Sequence, residues 1–158
     1  MTKCIIVITL LALIGCKDSG EDVNPVPPEI PVDVLLATPD TIVVDGGTLT
    51  LSTYIWRSFM PTVPPSGSGL IALVYIGMTD STKVSSSMSV DAVWIVSGQN
   101  VWKSFLMDAN QPKTNQICKI ARYGPEWDNP VDVIVRVLGS RGDSHLLRAS
   151  HQTIGKVY

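Results

Sequence analysis

Apolar and polar side chains alternate with a period of two along Thr48–Leu49–Thr50–Leu51–Ser52, and again along Val131–Asp132–Val133–Ile134–Val135–Arg136–Val137. That period is the signature of half-buried strands. Leu70–Ile76 and Ala92–Val96 are instead short, continuous, β-branched apolar runs, the pattern of central strands covered on both faces. Turn-forming clusters separate these segments: Asp45–Gly46–Gly47, Pro64–Pro65–Ser66–Gly67, Ser97–Gly98–Gln99–Asn100 and Gly139–Ser140–Arg141–Gly142. One stretch departs from the rule. Ile117, Ile120 and Ala121 stand at i, i+3 and i+4, with Gly124–Pro125 behind them, so the spacing predicts a short helix over Lys113–Arg122. An alternating strand over Gln116–Arg122 is the competing reading.

The predicted order is a strand over 34–44 broken at Pro39, then strands over 48–56, 70–77, 90–97 and 101–106, the helix, and strands over 131–138 and 144–150. No fixed-period repeat is present, which argues against a propeller or solenoid. An all-β domain of about seven strands, with one short helix before the sixth, resembles an immunoglobulin-like or fibronectin type III-like β-sandwich in its spacing. The resemblance spans 34–150 and carries no sequence motif, since a Cys…Trp…Cys pattern is lacking. A closed up-and-down barrel is the alternative.

The first residues follow another logic. Lys3 gives a positive start, and Ile5 through Ile14 is almost wholly apolar. Ten residues span about 15 Å as a helix, half the ~30 Å hydrocarbon core, so the run has the length of a signal-peptide core and not of a membrane span. It ends in Leu13–Ile14–Gly15–Cys16, which resembles the lipobox of bacterial lipoproteins: an aliphatic residue, a tolerant position, a small residue and the cysteine that is modified. The resemblance implies cleavage before Cys16, a diacylglycerol thioether on its sulfur and an acyl chain on the new amino terminus. Two or three such chains hold a protein on a membrane almost permanently, where one does not. Lys17 stands where an aspartate would imply inner-membrane retention, so the resemblance implies an outer-membrane address. Lys17–Asp18 and Glu21–Asp22 look like an acidic surface-export tag, interrupted by Ser19 and Gly20.

The expected organisation is therefore a leader over 1–15, the lipidated Cys16 with a tether to residue 33, and the sandwich over 34–158. The tether carries Pro25, Pro27, Pro28 and Pro31 and favours extended polyproline II, with a reach of roughly 50 Å over its ~17 residues. Composition agrees with an exported globular domain. Of 158 residues, 45% are hydrophobic and 16% charged, enough apolar material for a core and too little charge for a disordered chain. Twelve Lys and Arg against fourteen Asp and Glu give a net charge of −2, so a basic nucleic-acid footprint is absent. Losing Lys3 with the leader leaves 11 basic residues. Cys4 would leave with it as well. Cys118 then remains alone, without a disulfide partner and more plausible as a small buried hydrophobe than as a nucleophile.

Catalytic constellations are missing. His145 and His151 are the only histidines, which excludes HExxH and three-histidine metal sites. No GxSxG elbow, Walker loop or GxGxxG follows a predicted strand. Cys118 and His145 lie too far apart to suggest a copper set. The expectation is no enzyme, no metal and no cofactor. Arg141–Gly142–Asp143–Ser144 spells the integrin-binding tetrapeptide at a hairpin tip, where a turn explains the same residues.

In a sandwich of this order, loop 57–69 and the turns at 98–100 and 139–143 are expected at one end. Arg57, Phe59, Met60, Asn100, Arg141 and Asp143 would then form a candidate binding surface, with Tyr123 and Trp127 at the far end. The resulting expectation is a membrane-anchored protein whose sandwich binds or scaffolds an unidentified protein or glycan. Its rivals are a proteinase inhibitor offering loop 57–69 and a carbohydrate-binding accessory lipoprotein using exposed Trp or Tyr.

Overall fold

Ten strands and one helical turn make up the described parts of the chain, which are residues 26–62, 67–110 and 115–158 of a computed structural model. In chain order they are α1 (Val32–Leu36), β1 (Thr41–Val44), β2 (Gly47–Ser58), β3 (Ile71–Met78), β4 (Ser89–Ser97), β5 (Asn100–Phe105), β6 (Met107–Asp108), β7 (Ile117–Ala121), β8 (Val131–Leu138), β9 (Ser144–Gln152) and β10 (Ile154–Val157). The leader and Cys16 lie outside the described residues, as do 63–66 within loop 57–69.

The strands form two sheets, one of six strands ordered β1-β2-β3-β7-β6 with β10 also on β2, the other of four ordered β5-β4-β8-β9. All pairs are antiparallel except β10 with β2. One core lies between the sheets, where Leu49, Ile55, Val74 and Ile76 of the larger sheet meet Val93, Ile95, Val133 and Val135 of the smaller. The all-β expectation is therefore met, as two packed sheets.

At both edges a strand crosses from one sheet to the other. β5 passes through Leu106 into β6, and β9 passes through Thr153 into β10. Such corners need a bend. At the second, His151 takes a positive φ of 52° and β9 bulges, with Ser150 and His151 standing opposite the single residue Asp132 of β8. The Asp132 carboxylate accepts the His151 N–H at 3.3 Å.

Three expectations are corrected. The first is the helix over Lys113–Arg122: Ile117–Ala121 is strand β7, seated between β3 and β6. Both faces of β7 have apolar neighbours, Ala121 on the core side and Ile120 beside Leu73 on the other, so a period-two strand reproduces the apolar spacing that suggested a helix. Second, the strand over 34–44 begins as a helical turn. Val32, Leu35 and Leu36 share one side of α1 and pack with Trp94, Val96 and Ile134 on the outer face of the smaller sheet. Third, the tether stops short of residue 33. The Pro28 carbonyl already accepts a hydrogen bond from the Trp94 indole at 3.1 Å, so residues 28–33 belong to the folded body. This cover explains why Ala92–Val96 reads as apolar on both faces.

Candidate functional site

Strand directions fix which loops meet. β9 and β10 run the same way through their corner, and β10 runs parallel to β2, so the Gln152 end of the smaller sheet lies at the Ser58 end of the larger. The opposite ends meet through Ser140, whose N–H and Oγ–H both donate to the Asp45 carboxylate, at 2.9 and 2.7 Å. The expected single-ended surface is thereby divided. Arg57, Phe59, Met60 and Asn100 lie toward the Ser58 end, with Arg141 and Asp143 at the Gly47 end. Tyr123 and Trp127 follow β7, which ends beside the start of β3, and so share the end of loop 57–69 and do not oppose it.

These residues also differ from the expectation in exposure. Arg57 is buried, its guanidinium donating to Asp128 at 3.0 Å, Glu126 at 3.2 Å and the Ser68 carbonyl at 2.9 Å. It ties loop 57–69 to the β7–β8 connection. The Phe59 ring lies under the Arg57 guanidinium (5.1 Å), near the Lys156 ammonium (5.4 Å) and stacked on Tyr158 (5.6 Å), while Met60 is exposed. The Asp143 carboxylate folds back over Gly139 and bonds to His145, which holds its pKa below the ordinary carboxylate value. The acidic group of the Arg–Gly–Asp triplet is thus engaged within its own hairpin.

A different surface concentrates the chemistry. On β2 the side chains of Ser52, Tyr54 and Trp56 alternate away from the core, beside Tyr75, Leu73 and Ile71 of β3. Across β3 the register sets Leu73 against Ile120 and Tyr75 against Cys118, and Met107 of β6 follows beside Ile120. The outer face of the larger sheet therefore carries a ladder, Tyr54–Leu73–Ile120–Met107, four strands wide. No helix covers it among the described residues, in contrast to the outer face of the smaller sheet. Leu70–Ile76 reads as apolar on both sides, yet Ile71, Leu73 and Tyr75 are only half-buried.

A groove of about 420 Å³ opens on this ladder, with Trp56 and Tyr75 on one side and Met107, Ile120 and Arg122 on the other. Asp108 and Asn110 supply polar groups at its rim; Asp108 also pairs with Lys119 at 2.6 Å. Tyr54, 54% exposed, lies beside Trp56 with ring centroids 5.1 Å apart and planes inclined by 32°. Burial pushes the Tyr75 phenol above its ordinary value, and the Cys118 thiol against it adds to the shift, so the phenol remains a neutral hydrogen-bonding group at physiological pH. Cys118 itself is buried beneath the groove. A half-buried indole and an exposed phenol beside a small set of polar groups can bind flat ligands by ring contact and orient them by hydrogen bonds.

Groups of three or more His, Cys, Asp or Glu arranged to hold a metal are absent among the described residues, and no helix there is long and apolar enough to cross a membrane. The chain matches no protein-family model, no curated protein and no solved structure with which it was compared.

Proposed function

We propose that this chain is a lipid-anchored cell-envelope protein whose immunoglobulin-like sandwich binds a glycan, without catalysis, on the outer face of the larger sheet. The anchor is Cys16, supported by the Leu13–Ile14–Gly15–Cys16 pattern after an apolar leader, and the address is the outer membrane. The observation that carries the binding reading is the half-buried Trp56 in the wall of a groove edged by Arg122, Asp108 and Asn110, with the exposed Tyr54 ring 5.1 Å beside it. Sugar rings present apolar C–H faces to aromatic planes and a rim of hydroxyls to charged and amide groups. This arrangement offers both, on a rigid sheet that loses little freedom on binding. The inhibitor reading is weaker, because Phe59 is clamped by Arg57, Lys156 and Tyr158 and is not offered to a protease.

The test is a fluorescence titration of the purified domain against a panel of envelope and plant oligosaccharides. A saturable change in tryptophan emission is expected, weakened about tenfold or more in Trp56→Ala, on the scale of losing one stacking contact. The Trp56→Ala protein should keep its cooperative melting curve. An unchanged spectrum across the panel would overturn the glycan reading. For the anchor, palmitate labelling in cells is expected and should vanish in Cys16→Ser.

A further inference from the structure

We propose that the edge of the sandwich formed by β5 and β6, together with Tyr123, is the face on which the domain rests against the lipid surface. The inference builds on the anchor at Cys16, and its patch adjoins the glycan groove, with which it shares Met107 and Arg122. Val26, the first described residue, lies in a shallow depression of about 440 Å³ with Lys103, Phe105, Met107, Arg122 and Tyr123. Eight large hydrophobic side chains are exposed among the described residues, and three of them border this one depression: Val26 at 60%, Met107 at 51% and Tyr123 at 89%. Tyr123 also takes a φ of 66°, a backbone conformation uncommon for a bulky residue, and the ring held there is almost wholly in solvent.

The path of the chain turns this patch toward the bilayer. From Cys16 to Val26 there are ten residue steps, and ten residues span at most about 35 Å. The tether therefore leaves the body at this edge and keeps it near the membrane. The opposite edge is bounded by β1 and β9, the outer strands of the two sheets on that side. A patch too small to bind a membrane from solution gains a high effective concentration when the anchor already holds it there.

The composition suits a lipid headgroup region. Tyrosine presents an apolar body and a polar tip, the amphipathic form enriched at membrane interfaces. Met107 and Val26 add apolar surface, and the exposed Arg122 guanidinium is placed to donate to lipid phosphates. Lys103 is held by Glu29, which leaves Arg122 as the cation of the patch turned to solvent.

The experiment uses the chain from Cys16 to Tyr158, coupled through the Cys16 thiol to a maleimide-bearing phospholipid in vesicles of phosphatidylethanolamine and phosphatidylglycerol. Coupling in this way makes the vesicle result independent of whether cells lipidate the protein. Tryptophan is introduced as Tyr123→Trp or as Arg141→Trp, the second in the hairpin at the distant edge, and quenching by brominated lipid is measured against the parent chain. The expected result is several-fold more added quenching for Tyr123→Trp, with the contrast removed by Met107→Asp. Equal quenching at the two positions would overturn the docking face. Absence of palmitate on Cys16 in cells would instead remove the anchor, and docking with it. Label present together with equal quenching would remove docking alone.

Discussion

The indole N–H of Trp94, at the centre of β4, donates a 3.1 Å hydrogen bond to the carbonyl oxygen of Pro28. Both the indole and Leu35 are completely buried, so the segment before β1 acts as a third layer on the smaller sheet. Leu35→Ala should destabilise the domain by about 2–5 kcal/mol through lost transfer energy and a residual cavity. That loss corresponds to a fall in Tm of roughly 10 °C for a domain of this size. Trp94→Phe loses both the N–H donor and the part of the indole that fills this buried site beyond a phenyl ring, and should cost about 1–3 kcal/mol. Thermal melts of the two variants check the order; a silent Leu35→Ala would mean that the segment is not part of the cooperative unit.

Arg57 offers a test of which partner in an ion cluster matters more. Its guanidinium is buried, whereas the Glu126 and Asp128 side chains are about half exposed, at 53% and 50%. Removing the arginine frees two carboxylates that water can reach. Removing both carboxylates strips a buried cation of two anionic partners, while the carbonyl oxygens of Ser68 and Glu126 and the Phe59 ring stay in place. Taking the carboxylate partners from a buried cation is the costlier outcome, at about 3–5 kcal/mol. Glu126→Ala with Asp128→Ala should therefore lower denaturant stability more than Arg57→Met does, and the reverse order would contradict the account.

Gly69 and Gly124 come together where loop 57–69 enters β3. A Cβ at Gly69 would stand 2.4 Å from the Gly124 carbonyl oxygen, and that strand entry is pinned by the Gly124 N–H donating to the Leu70 carbonyl at 3.0 Å. Backbone, unlike a flexible side-chain end, cannot step aside without breaking this bond. Gly69→Ala should cost about 1–3 kcal/mol, as overpacking does. Gly98→Ala is the control. Its Cβ would meet nothing within 4 Å, and only its φ of 60° would oppose the change, at a cost of about 1 kcal/mol. Equal losses in urea unfolding would remove the steric explanation.

The strands were legible because their pattern is local. Val131–Val137 alternates against a core on one side, and Asp45–Gly46 supplies the two positive φ values, 49° and 82°, that a tight hairpin needs. Ile117–Ala121 misled because its two faces are both apolar, and a five-residue run with that property fits either period. The cover by Val32, Leu35 and Leu36 was hidden for a related reason: the helical spacing is present, but it spans one turn only, and packing against Trp94 rather than propensity holds it. The candidate groove was missed because its residues, Trp56, Tyr75, Ile120 and Arg122, come from three strands and one strand end whose neighbours depend on register. One signal was available. Leu70–Ile76 is apolar on both faces, and only the fold reveals that one of those faces has no cover among the described residues.

Acid should loosen the Gly47 end of the sandwich in a way traceable to one carboxylate. Ser140 donates its backbone N–H and its hydroxyl to Asp45, and these bonds lower the Asp45 pKa below its ordinary value of 3.8. A carboxylate with a lower pKa in the folded state binds its proton more readily when unfolded. The stabilisation is therefore complete above the ordinary value and is lost as pH falls below it toward the folded-state value. Asp45→Asn removes the titrating group but keeps an acceptor for Ser140. Between neutral pH and about 5 the two proteins should differ by a constant amount. Below about 4 the wild type should lose stability more steeply than Asp45→Asn, so the gap between their melting temperatures narrows. Asp143, lowered in the same sense by His145, is present in both proteins; its charge opposes that of Asp45 only as a minor cause beside the Ser140 bonds. A gap that stays fixed down to the acid-unfolding limit would show that the Asp45–Ser140 bonds do not couple the β1–β2 and β8–β9 turns to global stability.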